Sequence, residues 1–223
     1  MFLDKSQFDL NAPAEPERPE QTGVKRFLEI IQVEFLNLIK LNLLFLLCCL
    51  PVVALPPALF ATHCLVRRMV LGKPSSCWRD YWGAFRSGWK RAYGAFCLTA
   101  LPMGLAGYGA SFYLRNTQRS LLLILPFAFC SMVFLIAALS SPYLYGLLAD
   151  GRPLKEAVRP ALVLGVARPL RGALGALSWY GLTVLGILAF PFSGAYLALI
   201  GFTFPFLLSS FYVRTVLRQF FGE

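Results

Sequence analysis

Residues Leu121–Leu148 form a run of 28 amino acids without a charged side chain. A helix needs about 20 predominantly apolar residues to cross a bilayer's hydrocarbon core, and this run exceeds that. Pro126 and Pro142 lie inside it. Spans tolerate such breakers because neighbouring helices satisfy the freed backbone groups. The rest of the chain agrees. It is 57% hydrophobic and 14% charged, with a mean hydropathy of +0.63, where a soluble domain carries about 25% charge. The sequence is that of an all-α, polytopic helical membrane bundle.

Further apolar runs occur at Phe35–Leu50, Ala58–Leu71, Ala92–Leu114, Gly172–Phe192 and Ala195–Val213. They predict five to six hydrophobic helices in one transmembrane domain, residues 24–223. Residues 1–23 differ, with Asp4, Asp9, Glu15, Glu17 and Glu20 against two bases, and Pro13, Pro16 and Pro19 among them. Such a composition predicts a disordered acidic tail. No signal-peptide pattern is expected in it. The net charge of +10 points to no nucleic acid, because the cations sit in loops between apolar runs. Seven Lys/Arg lie in 67–91 and five in 149–171, against Arg115 and Arg119 in 115–119 and none in 191–194. Cation excess in short loops marks the cytoplasmic side. The expectation is a multi-pass protein of the cell membrane with both termini in the cytoplasm. Lys40, alone inside an apolar run, is expected to snorkel to the near interface.

The polar island Ser75–Tyr93 has helical order of its own. At 100° per residue, Trp78, Trp82, Phe85 and Trp89 fall within about 60° of one another. Arg79, Arg86 and Lys90 flank that stripe. An aromatic face beside a basic one predicts a helix lying at the bilayer surface, its rings at headgroup depth and its cations toward anionic lipid.

Pro51, Pro56 and Pro57 interrupt the first apolar runs. Proline cannot donate to the helical ladder and clashes with the turn before it. Either one kinked helix crosses from about residue 36 to 60, or two helices form a hairpin at the prolines, and the even number of crossings favours the hairpin. Its turn is expected as a plain one at the outer surface, about 30 Å from Trp78–Trp89. The alternative is a re-entrant break at membrane depth, a natural place for a ligand or gate.

Catalytic and metal-binding patterns are missing from the sequence. There is no GxxxxGK[ST], no HExxH and no GxSxG with a plausible triad, so no enzyme is expected. The one histidine, His63, beside Cys64, reads as packing, and the six cysteines contain no CxxC pair, so neither a metal nor another cofactor is expected. No carboxylate lies within a span, which disfavours an ion-coupled carrier. Asp150–Gly151 reads as a helix terminator.

Three stretches carry a family likeness. They are LNLLFLLCCLPVVALPPALFATHCLVRRMVLGK (41–73) with YWGAFRSGWKRA (81–92), LKEAVRPALVLGVARPLR (154–171), and IGFTFPFLLSSFYVRTVL (200–217). Together they resemble the YesL-like family of bacterial membrane proteins, which has no assigned biochemical function. Members typically read Leu-Pro-(aliphatic)2-Thr-(aliphatic)-Gly-Pro-Ala at the first stretch. This chain keeps Leu50, Pro51, Pro57 and Ala58 but has Ala54 for the threonine and Pro56 for the glycine. Where the family usually has an asparagine, it has Gly88. The resemblance implies, by association with carbohydrate-uptake systems, an auxiliary component of a sugar ABC transporter, with permease or ATPase subunits as partners. Glu156–Ala157–Val158 with Gly165 resembles only the start of a permease's EAAxxxG coupling loop. The other readings are a structural or regulatory protein that organises anionic lipid, and a small solute permease or channel.

Overall fold

The structure is a computed structural model and describes residues 24–72, 76–116 and 121–221. The acidic tail, Lys73 and Arg119 lie outside the described residues. Every element among the described residues is helical. The α-helices are α1 (Val24–Cys49), α2 (Leu55–Val70), α3 (Cys77–Ser87), α4 (Trp89–Asn116), α5 (Ile124–Ala149), α6 (Leu154–Ala167), α7 (Pro169–Ala176), α8 (Leu182–Leu188), α9 (Gly194–Leu199) and α10 (Thr203–Phe221).

Three of them are long and apolar enough to cross a membrane: Phe27–Cys49, Trp89–Asn116 and Ile124–Ala149. A fourth crossing exists if Leu154–Ala167 and Pro169–Leu188, bent by 105° at Arg168, count as one broken span. The all-α bundle of hydrophobic helices expected from the sequence is what forms, although two of the apolar runs are not single regular α-helices. The run Gly172–Phe192 lies in the second arm of that bent pair and carries a π-turn at Leu177–Gly181 without a break in the helix. The run Ala195–Val213 is split at 200–202. Gly201 is needed at that split, because a Cβ on it would lie 2.4 Å from the Leu197 Cα.

Backbone groups freed in an apolar interior must find partners, and a fully buried Asn42 on α1 supplies them. Its amide nitrogen donates to the carbonyls of Leu197 (2.9 Å) and Ala198 (2.8 Å). Its side-chain oxygen accepts from the backbone N–H of Phe202 (3.1 Å) and Thr203 (3.3 Å). One amide thus satisfies both sides of the α9–α10 break.

The core is built around α2 and the second half of α5. Thirteen of the sixteen α2 residues are buried, so this helix is enclosed by protein on nearly every side. On α5, Ala138 and Ser140–Tyr145 are buried, as are Leu147–Ala149. Glycines on the facing helices permit that closeness. A Cβ at Gly165 would meet the Ser140 Oγ at 2.5 Å, and one at Gly172 would meet the Leu139 carbonyl oxygen at 3.0 Å. α4 runs antiparallel to α5, with Gly109 against Cys130 and Gly107 against Phe134. Along 124–137 no α5 residue is buried.

Candidate functional site

The proline-rich segment does break the helix. α1 ends at Cys49, a bend takes Leu50 and Pro51, a single 3-10 turn spans Val52–Ala54, and α2 starts at Leu55. Pro56 and Pro57 fall in the first turn of α2, where a missing N–H costs nothing. The freed carbonyls are used. Leu47 O accepts from Leu50 N–H (3.4 Å) and Pro51 O from Ala54 N–H (2.8 Å). Val53 O accepts from the Tyr93 hydroxyl of α4.

That last bond corrects the expected depth. The break lies one tyrosine side chain from the start of α4, and the Tyr93 ring is 5.5 Å from that of Trp89. A plain outer turn about 30 Å from the aromatic segment is therefore not what forms. α2 and α3 fold back beside each other, and the break meets the far end of α3. Cys77, at the other end of α3, donates a weak S–H bond to the Asn37 carbonyl of α1 (3.8 Å).

The island is helical from Cys77 on, with a step at Gly88 between α3 and α4; Ser75 lies outside the described residues. The rings predicted to share a side form a ladder. Centroid separations are 6.1 Å for Trp78–Trp82, 5.4 Å for Trp82–Phe85 and 5.8 Å for Phe85–Trp89. Trp78 and Trp89 are exposed, as are Arg79, Arg86 and Lys90, while Trp82 and Phe85 are half-buried. Arg86 lies 5.8 Å from the Trp82 ring centre, over its face, a cation–π distance.

The inward side of this segment was missed by the sequence reading. Tyr81, Ala84, Gly88, Ala92, Ala95 and Thr99 are buried in succession, a three-and-four spacing. The small residues among them keep a helical repeat of their own, distinct from that of the larger rings. At Gly88 the Phe60 ring of α2 occupies the space a side chain would need, with a Cβ there 2.1 Å from the ring. A larger side chain has no room there unless Phe60 moves. Burial pushes the Tyr81 hydroxyl and the Cys77 thiol above their usual ranges, so both stay protonated at neutral pH.

Farther along α2 lies a polar cluster that the sequence did not assemble. Arg67 grips Asp150 with two bonds, Nε to Oδ1 at 2.8 Å and Nη2 to Oδ2 at 2.9 Å. Their side chains are 3% and 5% exposed. Arg67 was read as a loop cation and Asp150 as a helix terminator. The terminator role is real, since Asp150 caps α5 before Gly151 turns at φ 91°, but its carboxylate also ties α5 to α2. A buried pair of this kind is held by geometry and by the cost of leaving either charge alone. The one usable sequence signal is that Asp150 is the sole carboxylate between Asp80 and Glu156.

One turn before Arg67, His63 is enclosed by rings. Its imidazole lies 4.7 Å from Tyr145, 4.6 Å from Trp179 and 4.5 Å from Phe206, centre to centre. Its Nε2 has no hydrogen-bond partner among the described residues. A cavity of about 10 Å³ beside it, reached also by Arg67, Ser209 and Ser210, has room for about one water. His63 therefore packs, as the sequence suggested, but in a polar-edged aromatic box. Among the described residues no group of three His, Cys, Asp or Glu could hold a metal ion.

The prolines, the aromatic ladder and the α2 polar cluster thus belong to one unit, α1 through the start of α4, closed by α5. Comparison with known proteins picks out the same unit. Residues 38–109 match the family model described as "Protein of unknown function, DUF624". No curated protein and no solved structure matches the chain. The matched stretch runs from the middle of α1, through the break, α2 and α3, into α4. Over that stretch the chain is similar to the DUF624 family, to which the YesL-like proteins belong.

Proposed function

We propose that this chain is a non-enzymatic, multi-pass protein of the cell membrane that partners a transport system. The resemblance points to a carbohydrate ABC transporter, whose permease or ATPase subunits it would contact. The observation that carries this reading is the outer half of the α4–α5 pair. There Leu101, Leu105, Tyr108, Leu125, Phe129 and Leu135 are all exposed, on two helices that support each other and little else. A surface of that kind meets lipid tails or another membrane helix.

Two features weigh against a permease acting alone. α6, which begins like a coupling loop, buries Ala157, Ala161, Leu164 and Gly165 within the chain's own bundle. The polar centre is closed by the Arg67–Asp150 pair and the rings around His63. The second reading, a lipid-organising protein, is favoured by the exposed Trp78, Arg79, Arg86, Trp89 and Lys90 on one face.

Purification of the tagged full chain in mild detergent tests the leading reading. A permease or ATPase subunit is expected to co-purify in stoichiometric amount. A chain that purifies alone and conducts solute in proteoliposomes without ATP would overturn it.

A further inference from the structure

His63 and Arg67 lie four residues apart on α2, so they share one side of that helix, and both are buried. The cavity beside them is closed by α10, which brings Ser209, Ser210 and Val213, and by α5, which brings Pro142, Tyr145 and Gly146. Its size follows from short residues. On α5 a proline and a glycine stand one turn apart, and a Cβ at Gly146 would already meet Leu217 Cδ1 at 2.9 Å. On α10 the facing residues include two serines. About 10 Å³ remains between them.

The imidazole is oriented by rings rather than by hydrogen bonds. Tyr145 stacks on it with 23° between the planes, Phe206 is tilted by 34°, and Trp179 meets it edge-on at 64°. Ring faces offer Nε2 no lone pair, and the indole N–H can only donate. Nε2 is fully enclosed and has no partner among the described residues. Buried polar side-chain atoms are bonded in the large majority of cases, to protein or to ordered water. A cavity of this volume holds one water, which needs two to four polar partners. His63, Arg67, Ser209 and Ser210 border it. Arg67 can only donate, whereas serine hydroxyls donate or accept, so a water there can match Nε2 in either sense. A solute larger than water has no room.

We propose that this cavity is a binding site for a single water molecule, hydrogen-bonded to His63 Nε2 and to a serine hydroxyl of α10. The water bridges α2 to α10 one turn from the Arg67–Asp150 pair, which ties α2 to α5. A polar junction of three helices is thereby completed inside an apolar bundle. The inference goes beyond the transport-partner reading and does not depend on it.

His63 is the only histidine of the chain, so isotope-labelled histidine gives the signals of one imidazole. Magic-angle-spinning NMR of the full chain in phosphatidylcholine nanodiscs reads the transfer of magnetisation from water protons to that ring. Strong transfer is expected, although the residue is 5% exposed. Ser209→Val and Ser210→Val each replace a hydroxyl by bulkier methyl groups, and at least one should lower the transfer by about threefold or more, because the water loses room and a partner. Ser111→Ala, which removes an exposed hydroxyl on α4, should leave it unchanged. Where a valine variant does not fold, cysteine at the same position, a weak hydrogen-bonding group, should move the transfer in the same direction. A wild-type ring without water transfer would overturn the proposal and leave Nε2 against the aromatic rings alone. So would transfer that stays unchanged in both serine variants while their unfolding midpoints match the wild type.

Discussion

The two halves of α5 are one continuous helix with opposite surroundings. Residues 124–137 include Phe127, Phe129, Met132, Phe134 and Leu135, and none of that stretch is buried; from Ala138 onward nearly every residue is. Hydrophobicity does not separate them, since both halves are apolar. Size does. The inner half brings Ser140, Ser141 and Gly146, and its partners present Gly165, Gly172 and Gly175. Small residues let backbones approach in a membrane, where apolar side chains gain little by leaving lipid. The outer half, with its large rings, stays unburied.

The sharpest way to break the comparison is to unlock the inner half. Asp150→Ala leaves Arg67 buried without its carboxylate, and breaking such a pair costs about 3–5 kcal/mol. Thermal unfolding in detergent should show that loss, and replacing both residues by apolar ones should recover most of it. A retained midpoint in the single variant would mean the pair is solvated. Next comes a glycine on each side. Gly165→Ala drives a Cβ to 2.5 Å from the Ser140 Oγ and 3.1 Å from its Cα and should cost about 1–3 kcal/mol. Gly104→Ala, with nothing within 4 Å, should be neutral or stabilise by up to about 1 kcal/mol. Equal effects in the same unfolding assay would erase the distinction.

Smaller effects probe the join and the outer arm. Tyr93→Phe removes the hydrogen bond to Val53 O and should cost about 1 kcal/mol, loosening the break enough to speed hydrogen exchange at residues 52–55. Unchanged exchange there would show that the turn holds without α4. Phe129→Ala on the outer arm should change stability by less than about 0.5 kcal/mol. A loss of several kcal/mol would place that ring in a packed interior.

Much of this division was legible in the sequence, and some of it was not. The spans of α4 and α5 follow from length and lack of charge, α3 from its ring spacing, and the helix break from three prolines. The direction of the break was not legible. Prolines say where a helix stops, whereas only the Tyr93–Val53 bond and the Gly88–Phe60 contact say that the chain folds back toward α4. The Arg67–Asp150 pair joins residues 83 positions apart, and each has a sufficient local reading, as a loop cation or a helix terminator. Asn42 was likewise hidden, because an asparagine inside an apolar run announces a need for partners without naming them. The expected span Ala195–Val213 failed for that reason, since its break is stabilised from a distant helix.

The most direct test is the environment of α5, residue by residue. The purified chain in nanodiscs is labelled with a photoactivated, membrane-confined carbene, and modified positions are read by mass spectrometry. Labels are expected on residues 124–137 and to be absent from 138–149. Even labelling along the helix, or labels confined to 138–149, would contradict the account.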